Sequence, residues 1–521
     1  MFLKLRKDTL KNKANFVLRS MILSIATIPA YAWSDAFLNQ IAHPPHTIKP
    51  NVPFNAPSGY SPAQIQKAYG MSLITNQGEG QIIAIVDAYD SPTIEADLGV
   101  FSTTFNLPSC TTANGCFKKV YASGTQPPVD ADWGTEIALD VQWAHALAPK
   151  AKIILVEAAD ASNGSLLLGI QTAVQQGANV VSMSWGSPES PSQSQYDSYF
   201  NIPNVTFMGS TGDSGNGVNW PAVSPYVIAA GGTSLTLDAS GNYISETAWS
   251  GSSGGVSQYV QIPAYQVNFA NKNNPNKMRG IPDVSSIGDA NNGGLSVYDS
   301  AAGGWLIMGG TSAAAPAWAG MIAVAKSAST TPLTGLNTLL YHAATTAYSA
   351  NYHDIVQGSN GSCGPVCTAG PGYDYVTGLG SPQAQNLIKA ITGGGSPGTC
   401  TRSAPSVNLN PNTTQIIQQN GSVTISIDVV NNDSATCTPS TFNLTTATSS
   451  PLIKSALTSS SLNVPAGGGK MTTYMITKAS NVANVGSIYT TNITVADTAI
   501  NRPISTSSYV YIGNALQRKK N

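Results

Sequence analysis

From about Ala63 to Ile391 the apolar positions of the chain come in two alternating textures. One is a short, nearly continuous run, as in QIIAIVDAYD (Gln81 to Asp90), KIILVEA (Lys152 to Ala158), NVVSMSWG (Asn179 to Gly186) and NVTFMGS (Asn204 to Ser210). Such runs suit strands covered on both faces. The other has helical spacing, as in Trp133 to Leu147 and SLLLGIQTAVQQG (Ser165 to Gly177). Their alternation predicts an α/β fold with a mostly parallel sheet and helices on both faces. Sites on such sheets form beyond the C-terminal strand ends. Asp87, Ser184 and Asp213 each end or follow an apolar run, so they are predicted to share one rim.

The pattern changes near Thr392, where GGGSPGT reads as a linker over residues 392–405. Beyond it Val423, Ile425, Ile427 and Val429 alternate with polar residues, as do Tyr489, Ile493 and Val495, and Tyr509 and Tyr511 repeat the pattern. Short alternating strands between Asn, Gly and Pro turns predict a C-terminal β-sandwich over residues 406–515. At the other end, a basic stretch, an apolar stretch from Phe16 to Ile28 and the sequence Ala30-Tyr31-Ala32 predict a signal peptide over residues 1–32. Residues 33–59 then form a short extension before a catalytic-sized unit at 60–391.

Composition narrows the classes. Only 10% of residues are charged, against roughly a quarter in ordinary globular proteins. Twenty-five basic and 26 acidic residues leave a net charge of −1, which implies neither a nucleic-acid partner nor a membrane surface. A surface built from Ser, Thr, Asn and Gln gains little charge in acid, so it suits an acidic medium as well as a generic exported protein. The six cysteines fall into three local couples, Cys110/Cys116, Cys363/Cys367 and Cys400/Cys437. With an export signal they suggest disulfides, although sequence alone does not fix the connectivity.

The chemistry centres on GGTSAAAPAWAG. Gly309 and Gly310 permit a tight turn, and Thr311-Ser312 would begin a helix whose first turn contains Pro316. A hydroxyl at that helix start lies where backbone N–H groups meet developing negative charge. Read alone, Ser312 is a helix cap; read as a nucleophile, it needs a base. The segment DWGTEIALDVQWAH offers Glu136 and Asp140 one helical turn apart, with no basic residue between Asp132 and His145 to neutralise them. Two close carboxyls share a proton, so Glu136 could take the Ser312 proton with Asp140 behind it. Asp213, in STGDSGNG, could donate to an oxyanion if it were protonated in a dry site.

Together these residues resemble the sedolisins, the serine-carboxyl peptidases that share the subtilisin fold. The resemblance runs through SPAQIQKAYG, VDAYD, the Glu136/Asp140 pair, SMSWG, STGDSG, IPDVS and GGTSAAAP, in order, from about Tyr60 to Gln385. It implies a subtilisin-like fold, Ser312 as nucleophile, Glu136 as base, Asp140 as its partner and Asp213 as oxyanion donor. An ordinary subtilisin would need a His where WGTE has Trp133, and without that His Asp87 reads as structural. The resemblance further implies that Ser184, Trp185, Gly186, Gly254 and Gly255 line a peptide cleft. It also implies one calcium ion, held by Asp354, Asp374 and the carbonyls of Ile355, Gly370 and Gly372. The expected protein is a secreted endopeptidase acting on proteins or peptides, with no membrane attachment once the signal is removed. The competing expectation is a silent exported protein that uses its sandwich to bind a surface. Family members usually carry a large N-terminal propeptide, and residues 33–59 are too short for one. Unaided folding, a separate inhibitor and a non-working protease are the alternatives that this leaves.

Overall fold

Four of the apolar runs become neighbouring strands of one sheet. The computed structural model describes residues 36–49, 55–269, 274–393, 402–433, 437, 439–466, 469–497 and 503–512. The expected signal peptide, residues 394–401 of the expected linker with Cys400 among them, and residues 513–515 of the expected C-terminal unit lie outside the described residues. The elements that position the site are β1 (Ile82–Ala88), β2 (Phe117–Tyr121), α1 (Ala131–Leu147), β3 (Lys152–Ala158), α2 (Asn163–Gln175), β4 (Val180–Met183) and β5 (Thr206–Ser210). They continue with β6 (Val227–Leu237), β7 (Tyr243–Ala248), β8 (Val284–Ile287), β9 (Leu295–Asp299), β10 (Gly304–Gly309) and α3 (Thr311–Ala328). The sheet runs β7-β6-β5-β4-β1-β3-β2, with β8 also on β6. Every pairing is parallel except that of β7 with β6.

Helices cover both faces, which is why β1 and β3 are apolar along nearly their whole length. On one face Val86, Val156 and Ala158 pack with Leu166 and Ile170 of α2. On the other, Ile83, Ile85 and Leu155 pack with α1 and α3. From Thr135 to Leu147 α1 is buried throughout, and so is α3 from Thr311 to Ala325. Over these spans neither helix has a polar side, and the carboxyls of Glu136 and Asp140 lie inside the protein.

The C-terminal segment forms a four-stranded and a five-stranded sheet, antiparallel apart from one pairing of Gln415–Ile417. Ile425, Ile427, Val429 and Met475 of the first meet Phe442, Leu444, Ile493 and Val495 of the second in a common core. The predicted phase fails at the last strand. Tyr509 faces out, and Val510 and Ile512 are buried instead. Pairing with Tyr489 sets this register, and a one-residue slip in phase exchanges the two faces. Cys110–Cys116 and Cys363–Cys367 are disulfides.

Candidate active site

Asp130 starts α1 by accepting from the N–H groups of Asp132 and Trp133, each at 3.1 Å. That cap fixes the helix so that Glu136 and Asp140 project from one face, both fully buried. Asp87 at the end of β1 is buried with them. Burial pushes the Asp140 carboxyl well up, and the charges of Asp87 and Glu136 add to the effect. Burial does the same to Asp87, helped by Glu136 and Glu157. Burial and like charge together therefore favour the protonated forms of Asp87 and Asp140.

Helix α3 begins at Gly310, whose φ of 99° is open to glycine at little cost. A Cβ there would also collide with the Pro45 carbonyl oxygen, and would meet Asp213 Oδ2 at 2.6 Å and His46 Cα at 2.7 Å. Pro316 lies in the second turn rather than the first. Having no N–H, it leaves the Ser312 carbonyl without its helical donor. The Ser184 hydroxyl takes that place, donating to the carbonyl at 3.4 Å. Ser312 is fully buried, and its Oγ has no hydrogen-bond partner among the described residues.

Asp213 sits against the start of α3. Its Oδ1 accepts from the Thr311 N–H at 2.8 Å and from the Thr311 hydroxyl at 3.0 Å. That hydroxyl itself accepts from the Gly212 N–H at 2.9 Å, so its proton is directed to Asp213. Oδ2 is buried with no partner. Burial raises the Asp213 carboxyl to about 7, against the two Thr311 bonds that favour the anion. Below neutrality it is a neutral acid, and since Oδ1 only accepts, the proton resides on Oδ2.

Histidines from the N-terminal extension complete the site, and sequence reasoning missed them. His46 Nδ1 lies 2.7 Å from Glu136 Oε2, and Nε2 lies 3.3 Å from Asp132 Oδ1. The carboxylate pair is thus neutralised from 90 residues away. Burial would lower the His46 pKa, but the hydrogen bonds and charges of Asp132 and Glu136 raise it to about 10. His43 exchanges both backbone hydrogen bonds with Gly186, at 3.0 and 3.2 Å, and the Ser312 N–H donates to the Pro45 carbonyl at 3.2 Å. The paired histidines in HPPH were the available signal, but nothing in their spacing pointed to α1.

Of the expected cleft residues, Gly186 alone touches this segment through its backbone. The side chains of Ser184 and Trp185 are fully buried; Ser184 donates to the Ser312 carbonyl, and the Trp185 indole donates to the Val86 carbonyl at 2.7 Å. Gly254 and Gly255 brace the turn that carries Asp213. The Gly254 carbonyl accepts from Gly217, while Ser253 binds Gly212 and Ser214.

The loop from His353 to Gly380 carries all five expected metal ligands, and hydrogen bonds tie parts of it to one another. Asp354 accepts from the Gly372 N–H through both oxygens at 3.1 Å, and Asp374 accepts from Gly370, Val376 and Thr377. The carbonyls of Ile355, Gly370 and Gly372 accept no hydrogen bond among the described residues. Carboxylates and carbonyls are the oxygen donors that calcium takes, and these five residues offer both kinds within one loop. A cluster of Cys110, Cys116 and His145 offers no such site. Its thiols are joined in a disulfide, and His145 Nε2 is bonded to the Pro108 carbonyl at 2.9 Å.

A parallel α/β sheet with a buried serine at the start of its central helix defines a subtilisin-like protein, here with carboxylates where an imidazole would be expected. The Subtilase family profile matches residues 133–364. Kumamolisin from Bacillus sp. (strain MN-32) is 33% identical over 374 residues, covering 64% of this chain and 64% of its own length. Sedolisin from Pseudomonas sp. (strain 101) is 34% identical over 188 residues, covering 34% of this chain and 31% of its own length. The chain thus spans less than two thirds of these relatives. A solved structure of Pseudomonas sedolisin, a serine-carboxyl proteinase complexed with pseudo-iodotyrostatin, aligns with a TM-score of 0.57 at 26% identity. That alignment covers 66% of this chain and all of the sedolisin chain. These matches support a subtilisin-like fold and a likeness to the sedolisins over the α/β unit of the chain.

Proposed function

We propose that the protein is an exported endopeptidase that hydrolyses peptide bonds in acid through an acyl-enzyme on Ser312. The observation that carries the reading is Asp213, pinned by one oxygen at the start of the helix bearing Ser312, with its other oxygen free and its pKa raised to about 7. In this reading Ser312 Oγ attacks the substrate carbonyl carbon and its proton passes to Glu136. Asp140 shares that proton and orients its partner. The new oxyanion receives hydrogen bonds from the Ser312 N–H and from neutral Asp213. Glu136 then protonates the departing amine, and water reverses the sequence to release the acid.

A carboxylate base and a protonated Asp213 both favour low pH, in keeping with the sparse charge of the surface. Calcium, held by Asp354, Asp374, Ile355, Gly370 and Gly372, would tie the loop together as a structural ion. Export rests on the signal-like N-terminus and the disulfides; among the described residues no helix is long and apolar enough to cross a membrane. The two C-terminal sheets we read as a β-sandwich that binds substrate or a surface. The test is cleavage of an unfolded protein between about pH 3 and 5, before and after Ser312→Ala. Loss of turnover in the variant is expected. Equal activity in the two would sink the assignment.

A further inference from the structure

Asp213 lies on the turn 211–217, and two other segments hold that turn from behind. The first is the stretch 251–254. There the Ser253 N–H donates to the Gly212 carbonyl at 2.7 Å, the Gly215 N–H to the Gly251 carbonyl at 2.8 Å, and the Ser214 N–H to the Ser253 hydroxyl at 3.1 Å. The second is a small hairpin from Ser359 to Thr368, paired at those two residues and closed by the Cys363–Cys367 disulfide. Inside it the Asn360 N–H donates to the Cys367 carbonyl at 3.0 Å, so the disulfide fixes where Asn360 stands.

Asn360 is buried and grips both neighbours at once. Its carbonyl accepts from the Asn216 N–H at 2.8 Å, and its Nδ2 donates to the Ser252 carbonyl at 3.0 Å. The fit leaves no slack. A Cβ on Gly215, whose φ is 71°, would meet the Asn360 carbonyl oxygen at 2.6 Å. One on Gly361 would meet Asn216 Cβ and Cys367 Sγ, each at 3.1 Å. Cys367 is fully buried, whereas Cys363 is exposed.

Resting on the peptidase reading above, we propose that Asn360 is a positioning residue for the oxyanion donor, and that the Cys363–Cys367 link which seats it makes the reaction depend on an oxidised chain. The hairpin acts through the backbone. Its bonds to Asn216 and Ser252 fix the far side of the turn, while Thr311 fixes the near side through Asp213 Oδ1. Asp213 Oδ2 is then held in one direction, as a preorganised oxyanion donor requires. Burial holds the Asp213 carboxyl up at about 7, and the hairpin supplies part of the cover over its turn. The charges that reach Asp213 are Glu136 from α1, which raises it, and His46 from the N-terminal extension, which lowers it. The hairpin, SNGSCGPVCT, carries no charge, so it acts by position and by exclusion of water alone. With the link cut, water reaches the turn and the carboxyl falls back toward its ordinary value, so the neutral acid is lost at lower pH.

The experiment measures kcat and the pH profile of kcat/KM on an unstructured peptide for the parent, Ser312→Ala, Cys363→Ser/Cys367→Ser and Asn360→Ala. A control, Cys110→Ser/Cys116→Ser, removes the other disulfide. Expected is a fall in kcat of about tenfold in the open hairpin and a smaller one in Asn360→Ala. In both, the limb that the parent shows near 7 should move to lower pH, and in the control it should stay. Thermal unfolding with Ser312→Ala also present establishes that each variant is folded under assay conditions. Asn360→Ala, which keeps both disulfides, carries the test if the open hairpin does not fold. A limb that fails to move in the folded variants, whatever happens to kcat or Tm, or that moves as far in the control, would overturn the hairpin's role while leaving a peptidase. A parent without Ser312-dependent turnover would remove the peptidase reading, and this role with it.

Discussion

Thr311 holds Asp213 by a single oxygen, its N–H and hydroxyl both donating to Oδ1 while Oδ2 is left bare. If neutral Asp213 donates to the oxyanion, activity should fall as pH rises through about 7, where burial has placed its pKa. Asp213→Asn removes that titration. The variant should lose about 10²-fold in kcat, the usual cost of a lost oxyanion donor. Its pH profile should also lack the limb near 7. A profile of kcat/KM for both proteins checks this, and an unchanged limb in the variant would assign it to another group.

Stability should lean the same way. Burial raises Asp213 to about 7, Glu157 to about 8, and Asp197 and Asp374 to about 6, with Asp87 and Asp140 also well up. Each binds its proton more tightly when folded, so its contribution is complete below the unfolded value and is lost as pH rises through the folded one. Across that window, from about 4 to 8, the sum should lower the Tm. Thermal unfolding of Ser312→Ala, which cannot digest itself, should give a higher Tm at pH 5 than at pH 8. A Tm that rises over that interval would contradict this.

Arg279 and Asp283 form a fully buried two-pronged pair at 2.8 and 2.7 Å. Asp283 also accepts from the Ala229 N–H and the Tyr341 hydroxyl, both at 2.8 Å, which ties β6 and β8 to the Tyr341 helix. Arg279→Met would strand Asp283 as a buried charge, a change that costs about 3–5 kcal/mol. Denaturant unfolding should show the loss. A double variant that also carries Asp283→Asn should recover part of it, since no anion is then left unpaired.

Much of the α/β unit was legible because its strands and helices are buried on nearly all sides, so their apolar runs announce them. Glu136, Asp140, Asp213 and Ser312 stand out through their local motifs, and the fold buries all but Asp213 completely. What escaped was whatever a distant segment decides. Pro316 reads as a first-turn residue, yet it sits in the second because Ser184, far away in sequence, takes the carbonyl it frees. Tyr509 and Val510 alternate equally well in either phase until the neighbouring strand fixes which is inside. His46 carries no periodicity at all, and its contacts exist only because the N-terminal extension lays it against α1.

The loop carbonyls suggest a last test that does not depend on activity. Ile355, Gly370 and Gly372 present carbonyls that accept no hydrogen bond among the described residues, beside two carboxylates bonded to backbone N–H groups. If calcium completes this set, it binds the folded state alone and stabilises it by mass action, about 2.7 kcal/mol at a hundredfold excess over Kd. Chelator should therefore lower the Tm of Ser312→Ala, and added calcium should restore it. Asp354→Asn keeps an acceptor for the Gly372 N–H but removes a charge from the donor set. In that background the calcium-dependent part of the Tm should shrink, while the chelator-treated Tm stays near that of the parent. A Tm indifferent to chelator in both proteins would mean that the loop is held by its own hydrogen bonds.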